Sequence, residues 1–273
     1  MKSRLGFMQG RLVNSEKKNS IQCFPAKNWA EELKIAKKLN FKIMEWTIND
    51  ENIKHNPLFN GKIKYLKKLV KKNKIKIPSI TLDYFMQRPF FKIKKKTEKE
   101  KVINNLKKII INGNKLNIKY FVLPLVDNSS VKSINQEKIL VEGIIELLKL
   151  IKKNSYFLFE IDYLPNKIPN FIKKFKSNKV GINYDTGNSA GLGYDFKKEL
   201  KYFKYVKNIH IKDRKLRGKT VRLGFGNWEY KKFFKSIKKN YNGNFILQTA
   251  RSKNNKHVEE ILVNRSFFNN EFR

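Results

Sequence analysis

The feature that most constrains this chain is an alternation, repeated eight times, of a short apolar run with a longer segment whose apolar residues recur at helical spacing. Runs rich in Ile, Val, Phe and Tyr predict strands at 4–8, 42–46, 76–82, 120–125, 156–161, 180–184, 207–211 and 244–247. Helical periodicity predicts helices at 29–39, 62–72, 98–116, 136–153, 169–175, 197–205, 228–239 and 258–268. Strand–helix alternation at this spacing belongs to parallel sheets covered by helices. Its regularity fits an α/β fold closed on itself, a single-domain (β/α)8 TIM barrel over residues 1–273, better than an open sheet. An open doubly wound sheet is the structural alternative. It lacks its usual signature, because no GxGxxG follows a strand; the nearest pattern, Gly187 to Gly193 in DTGNSAGLG, follows an acidic strand end.

In a parallel barrel every strand C-terminus opens on one face, so polar residues ending successive strands meet around one mouth. Glu45, Asp83, Asp127, Glu160, Asp185, His210 and Gln248 occupy or follow the ends of strands two to eight. Glu160, Asp185, His210 and Gln248 come from four consecutive strands. Two carboxylates, an imidazole and an amide oxygen make a donor set for Mn2+, Mg2+, Co2+ or Zn2+. Taken singly, each has an ordinary structural reading as a loop cap or a satisfied core histidine.

Charge bears on partners. The formal net charge is +38, which invites a nucleic-acid reading. Lys outnumbers Arg 52 to 9, however, and Lys pairs such as Lys37-Lys38, Lys67-Lys68, Lys71-Lys72 and Lys152-Lys153 fall on the faces that amphipathic helices turn to water. A solvated outer ring accounts for them. Arg is scarce, so its positions are informative: Arg11, Arg88, Arg214, Arg217, Arg222 and Arg251 lie beyond strand ends, whereas Arg4, Arg265 and Arg273 do not. A planar guanidinium holds carboxylate or phosphate in register, so an anionic small molecule is expected. The competing reading is that these Arg residues pair with the acidic strand ends. Gly224 to Asn227 precedes the helix expected near Trp228, and its amides could hold an anion beside Arg222 and Arg251, or simply form a turn with Asn227 as the N-cap.

The lone Cys23 excludes an internal disulfide or thiolate cluster, the apolar stretch within residues 1–12 is too short for a signal-peptide core, and no run approaches a membrane span. A cytoplasmic location is the expectation.

GFMQGRL at 6–12, MEWT at 44–47, FEIDY at 159–163, GINYDTGNSAG at 181–191, NIHIKDR at 208–214, LGFGNW at 223–228 and ILQTAR at 246–251 together resemble the sugar phosphate isomerase/epimerase group of the xylose isomerase-like TIM barrels, over nearly the whole chain. The resemblance implies a metal held by Glu160, Asp185, His210 and the strand-eight residue, and proton abstraction beside a carbonyl of a sugar, sugar phosphate or polyol-derived hydroxy-ketone. Glu160 and Gln248 then occupy the catalytic positions. Where the family carries a second carboxylate this chain has Gln248, which can ligate but cannot act as a base. The second His that family epimerases often carry after the strand-six Asp is apparently replaced by Asn188. Glu45, Asn188, Lys212, Arg214, Arg222 and Arg251 are the expected substrate contacts, and Glu45, Asp162, Lys212 or Asp213 the candidates for the missing second function. The partner expected is a small, anionic carbohydrate, with no specific nucleic acid and no membrane; homo-oligomerisation is left open. The rival readings are a barrel that binds a ligand without turning it over and an endonuclease IV-like repair enzyme. The latter needs several His ligands, and this chain has only His55, His210 and His257.

Overall fold

The computed structural model describes residues 4–14, 22–252 and 254–272; Arg273 and the first three residues of the N-terminal stretch lie outside them. Eight parallel strands close a barrel in chain order: β1 (Leu5–Met8), β2 (Ile43–Ile48), β3 (Lys76–Leu82), β4 (Tyr120–Leu125), β5 (Tyr156–Ile161), β6 (Val180–Asp185), β7 (Val206–Ile211) and β10 (Asn244–Leu247). The last strand pairs with the first, Leu5 opposite Phe245 and Phe7 opposite Leu247, which removes every sheet edge. A two-stranded antiparallel ribbon, β8 (Asp213–Arg214) and β9 (Thr220–Val221), stands in the loop after β7.

Alternation along the strands decides what meets in the barrel's interior. Met8, Ile43 and Ile246 form one small apolar cluster, and Tyr120, Val122 and Leu158 another, both separate from the large core between strands and helices. Moving two residues along the same strands towards their C-termini keeps the side chain inward and one layer higher, which gives Glu45, Glu160 and Gln248. On β6 and β7 the same parity gives Asn183, Asp185, Asn208 and His210, with Asp185 opposite His210 and His210 opposite Ile246. The barrel therefore has an apolar floor and a polar upper layer, and that layer is the base of the site.

The outer core is aromatic. Phe234 on helix Tyr230–Ile237 packs edge-on against Phe245 of β10 and Phe268 of helix His257–Phe272, with ring centroids 5.8 and 5.2 Å apart. Each such buried ring contributes about 1.5–3 kcal/mol of transfer free energy. Among the described residues no helix is long and apolar enough to cross a membrane. The Lys pairs at 37–38, 67–68, 71–72 and 152–153 all point to solvent.

Three of the differences from the periodicity bear on the site. The segment expected as one helix at 197–205 is a short α-helix, Phe196–Glu199, followed by a 3-10 helix, Leu200–Tyr205. Helix Tyr230–Ile237 starts later than expected, because the Trp228 amide is held by Asp213 instead of entering the helix. The Gly-rich stretch after β6 is itself a helix, Thr186–Leu192: Asp185 caps it by accepting from the Asn188 amide at 2.8 Å, and Gly193 ends it with φ +70. Its composition masks it in the sequence. The glycines are there for clearance, since a Cβ on Gly187 would lie 2.5 Å from Lys212 Cγ and one on Gly191 2.8 Å from Arg214 Cζ.

Candidate active site

His210 is the centre of the polar layer. It is fully buried, and its Nε2 lies 2.6 Å from Glu45 Oε1, while Nδ1 lies 3.1 Å from Glu160 Oε2 and 3.9 Å from Asp185 Oδ2. Glu45 is sealed beneath the ring, where it also accepts from Thr81 Oγ1 and, at 2.9 Å, from Asn208 Nδ2. Expected as a substrate contact, Glu45 instead has no exposed surface and orients His210 from below. A carboxylate taking the Nε2 proton leaves Nδ1 facing Glu160 and Asp185. That nitrogen has no aligned hydrogen-bond partner, only a charge contact to Glu160.

Burial pushes the Glu160 carboxyl up, but the His210 ring, Lys212 and the Asn188 amide outweigh it and hold Glu160 below the usual range. The same burial raises Asp185, with Glu160 adding to the rise and Lys212 opposing it. For His210, burial favours the neutral ring, yet the flanking carboxylates Glu45 and Glu160 prevail and lift it to about 10.

Glu160, Asp185 and His210 each offer a ligand atom, all within 4.8 Å of one another and all buried. The unaligned Nδ1, the two convergent carboxylates and the carboxylate behind Nε2 fit a divalent cation. Gln248, at the end of β10, is buried with its Oε1 unpaired, while its Nε2 donates to Gln22 Oε1 at 2.8 Å. Its free atom is the one that ligates metals.

Above this layer, Asn188 Nδ2 donates to Glu160 Oε1 at 2.6 Å, and Lys212 Nζ donates to Asp185 Oδ2 at 3.1 Å and to Asn188 Oδ1 at 3.4 Å. Arg214 lies beside them, its Nη1 3.5 Å from Asn188 Oδ1 and its Nε and Nη2 on the Gly218 carbonyl. Asn188, Lys212 and Arg214 thus share one wall of the mouth with the acidic pair. Arg222 does not join them: it is paired with Glu260, Nη2 to Oε2 at 2.6 Å. The glycine turn beside it is also occupied, since Gly224, Gly226 and Trp228 amides donate to the Asp213 carboxylate. The anion expected there is the chain's own side chain, and Asn227 accepts from the Leu216 amide rather than capping the next helix. Asp162 accepts from Ser130 Oγ, and Asp127 is exposed on its turn.

Asp83, noted in the sequence only as following β3, has a larger part than its position suggested. It accepts from Gln22 Nε2 at 2.7 Å and so extends the line Gln248–Gln22–Asp83 along the mouth. Burial first of all pushes its carboxyl up to about 7 from 3.8, with Glu160 adding to the rise and Gln22, Arg11 and His210 opposing it. The unfolded chain therefore loses this proton near pH 4 and the folded chain near 7. Stability is greatest below that window and falls as pH rises through it, by at most about 4 kcal/mol at 1.36 kcal/mol per unit. Asp83→Asn keeps an oxygen for Gln22 and is expected to flatten the profile, so urea midpoints at pH 5 and pH 8 should fall further apart in the wild type. Glu32, also raised to about 7 and chiefly by burial, titrates in both proteins and cancels. Parallel profiles would reject a neutral buried Asp83.

The fold is a closed (β/α)8 barrel, and its mouth carries a buried Glu–Asp–His group that could hold a metal ion. The sequence profile of the xylose isomerase-like TIM barrel family matches residues 33–266, and the chain belongs to that family. No curated protein matches it significantly in sequence. Among solved structures it is similar to a xylose isomerase domain protein from Planctomyces limnophilus, with TM-score 0.76 at 13% identity over 98% of this chain and 96% of that one. D-psicose 3-epimerase from Clostridium cellulolyticum H10, solved with D-tagatose, gives TM-score 0.72 at 13% identity over 98% and 99%. A xylose isomerase-like TIM barrel protein from Mycobacterium smegmatis, in complex with magnesium, gives 0.66 at 15% identity over the full length of both chains.

Proposed function

We propose that this barrel is a divalent-metal-dependent isomerase or epimerase that moves a proton next to the carbonyl of a carbohydrate. The observation that carries the reading is the buried Glu160–Asp185–His210 cluster with Glu45 locked behind the imidazole. Glu160, Asp185, His210 and the Gln248 oxygen would hold the cation, which when bound supplies Lewis acidity to the substrate carbonyl. Glu160 is the base: its neighbours keep it ionised, and the Asn188 amide fixes one oxygen. It takes the proton from the carbon beside the carbonyl, the bonding pair moves towards the carbonyl oxygen, and Glu160 returns the proton to that carbon or to its neighbour. Return to the neighbour, the former carbonyl carbon, completes an aldose–ketose isomerisation with one carbon base, provided the proton of the adjacent hydroxyl passes to the former carbonyl oxygen as the new carbonyl forms. Asn188, Lys212 and Arg214 orient the hydroxyls from the shared wall.

The sugar epimerase among the structural relatives, solved with D-tagatose, supports a carbohydrate ligand, and the magnesium complex supports a cation. Among the described residues Glu160, Asp185 and His210 form the only metal-ligating group of this kind; His55 and His257 lie outside it, which weighs against a multinuclear nuclease centre. A barrel that binds without turnover is the second reading, favoured by the amide at Gln248.

The experiment is metal analysis of the purified protein followed by incubation with ketoses, sugar phosphates and inososes in deuterated water. About one divalent ion per chain and deuterium at the carbon beside the carbonyl of one class are expected. Metal-free protein that exchanges nothing would leave the binding barrel as the better account.

A further inference from the structure

Beside the candidate metal cluster, the loops after β1 and β10 hold a buried and a partly buried guanidinium that no carboxylate among the described residues contacts. Arg11 is only 3% exposed; its Nε donates to the Thr249 carbonyl at 2.9 Å, and both Nη1 and Nη2 are without a partner. Arg251 donates through Nη2 to the Val13 carbonyl at 2.6 Å, and its Nη1 is likewise unpaired. That nitrogen rests on Gly10, whose φ of +85 and missing side chain allow the approach: a Cβ there would lie 3.3 Å from Nη1 and 2.9 Å from the Cys23 carbonyl. Thr249 Oγ1 and His257 Nδ1 are also buried and unpaired. Burial foremost, then Arg251 and Arg11, lowers the His257 imidazole, as their proximity requires.

The nearest acid, Glu32, offsets the pair only through space and contacts neither guanidinium. Glu32 spends its carboxylate on the backbone, accepting from the Gly10 amide with both oxygens at 2.8 and 2.9 Å and from the Leu12 amide at 3.0 Å. Two guanidiniums, one hydroxyl and one imidazole thus stand together with unpaired polar atoms, and among the described residues no carboxylate contacts either guanidinium. Buried unpaired charge is strongly unfavourable, so it persists where a ligand completes it.

We propose that Arg11 and Arg251, with Thr249 and His257, form an oxyanion subsite that binds the phosphoryl or carboxylate group of the substrate. Thr249 directly follows Gln248, and Asp83 feels both Arg11 and the Glu160–His210 pair, which sets the subsite on the same mouth as the metal-type cluster. Arg222, committed to Glu260, takes no part. As an anion site the proposal stands alone; as the holder of the substrate's charged end it rests on the carbohydrate reading above.

The test uses chelator-treated full-length protein in about 200 mM NaCl, where nonspecific attraction to the lysine-rich surface is screened. Inorganic phosphate and acetate are titrated separately, with melting temperature and calorimetric heat as readouts. One or both should raise the melting temperature saturably at millimolar concentration; phosphate alone identifies a phosphoryl ligand and acetate alone a carboxylate. Arg11→Met and Arg251→Met should abolish the shift, and Arg11→Met should melt higher than wild type without anion, because an unpaired charge is removed. Should Arg11→Met not fold, Arg251→Lys keeps the charge without the fork and should weaken the anion at least tenfold. Arg222→Met should keep the shift. Asp185→Asn should also keep it, which separates failure of this subsite from failure of the catalytic reading. No saturable shift in wild type, or one that survives both Arg variants, overturns the proposal.

Discussion

Glu160→Gln is expected to reduce solvent exchange into substrate by about a thousandfold, within the 10²–10⁴ range of a lost general base, while the barrel stays folded. The size follows from what Glu160 touches. One oxygen is fixed by Asn188 at 2.6 Å, and the other faces His210 and, at 3.3 Å, the Asn183 amide. An amide retains one oxygen for these donors but no basic lone pair. Gln248 cannot take over the proton, and Glu45, sealed under His210, cannot reach a substrate. Asp83 is held largely protonated below about pH 7 by burial, which Gln22, Arg11 and His210 oppose only in part. Exchange in deuterated water at saturating metal is the measurement. Retention of more than a tenth of wild-type exchange would move the base elsewhere.

Much of this was legible in the sequence, and what was not has physical reasons. Strand positions came through because a buried parallel strand is a continuous apolar run, and all eight barrel strands lie where those runs are. The cluster of Glu160, Asp185 and His210 followed from the rule that strand ends share one mouth. What the rule does not carry is depth. The sequence pattern puts Glu45 at a strand end like Glu160, but β2 runs on to Ile48, so Glu45 lies within the strand and fully buried under His210. Nor does it show which arginines are already engaged: Arg222 meets an acid thirty-eight residues later in the chain, whereas among the described residues Arg11 and Arg251 contact none. Helix Thr186–Leu192 was hidden because its glycines serve Lys212 and Arg214 rather than local propensity.

Asp185→Asn is expected to weaken divalent-metal binding at least a hundredfold, and Glu45→Gln by about ten- to a hundredfold, although Glu45 touches no metal in this arrangement. Asparagine is chosen because Asp185 also caps helix Thr186–Leu192, a duty an Asn oxygen performs equally well, so the loss reports on the ligand rather than the fold. Glu45 acts through His210. Its carboxylate, 2.6 Å from Nε2, fixes the ring so that Nδ1 faces Glu160 and Asp185 and makes that nitrogen a better donor. A glutamine keeps the oxygen and loses the charge. Alanine at position 210 would be a poorer test, since it leaves the Glu45 carboxylate buried without its partner at a cost of about 3–5 kcal/mol. Metal titration by calorimetry, alongside urea denaturation of the metal-free proteins, distinguishes the two accounts of the cluster. If it is a cation site, affinity falls most in Asp185→Asn and clearly in Glu45→Gln. If it is an ion-pair network that only braces the barrel, both substitutions change stability and neither changes metal affinity.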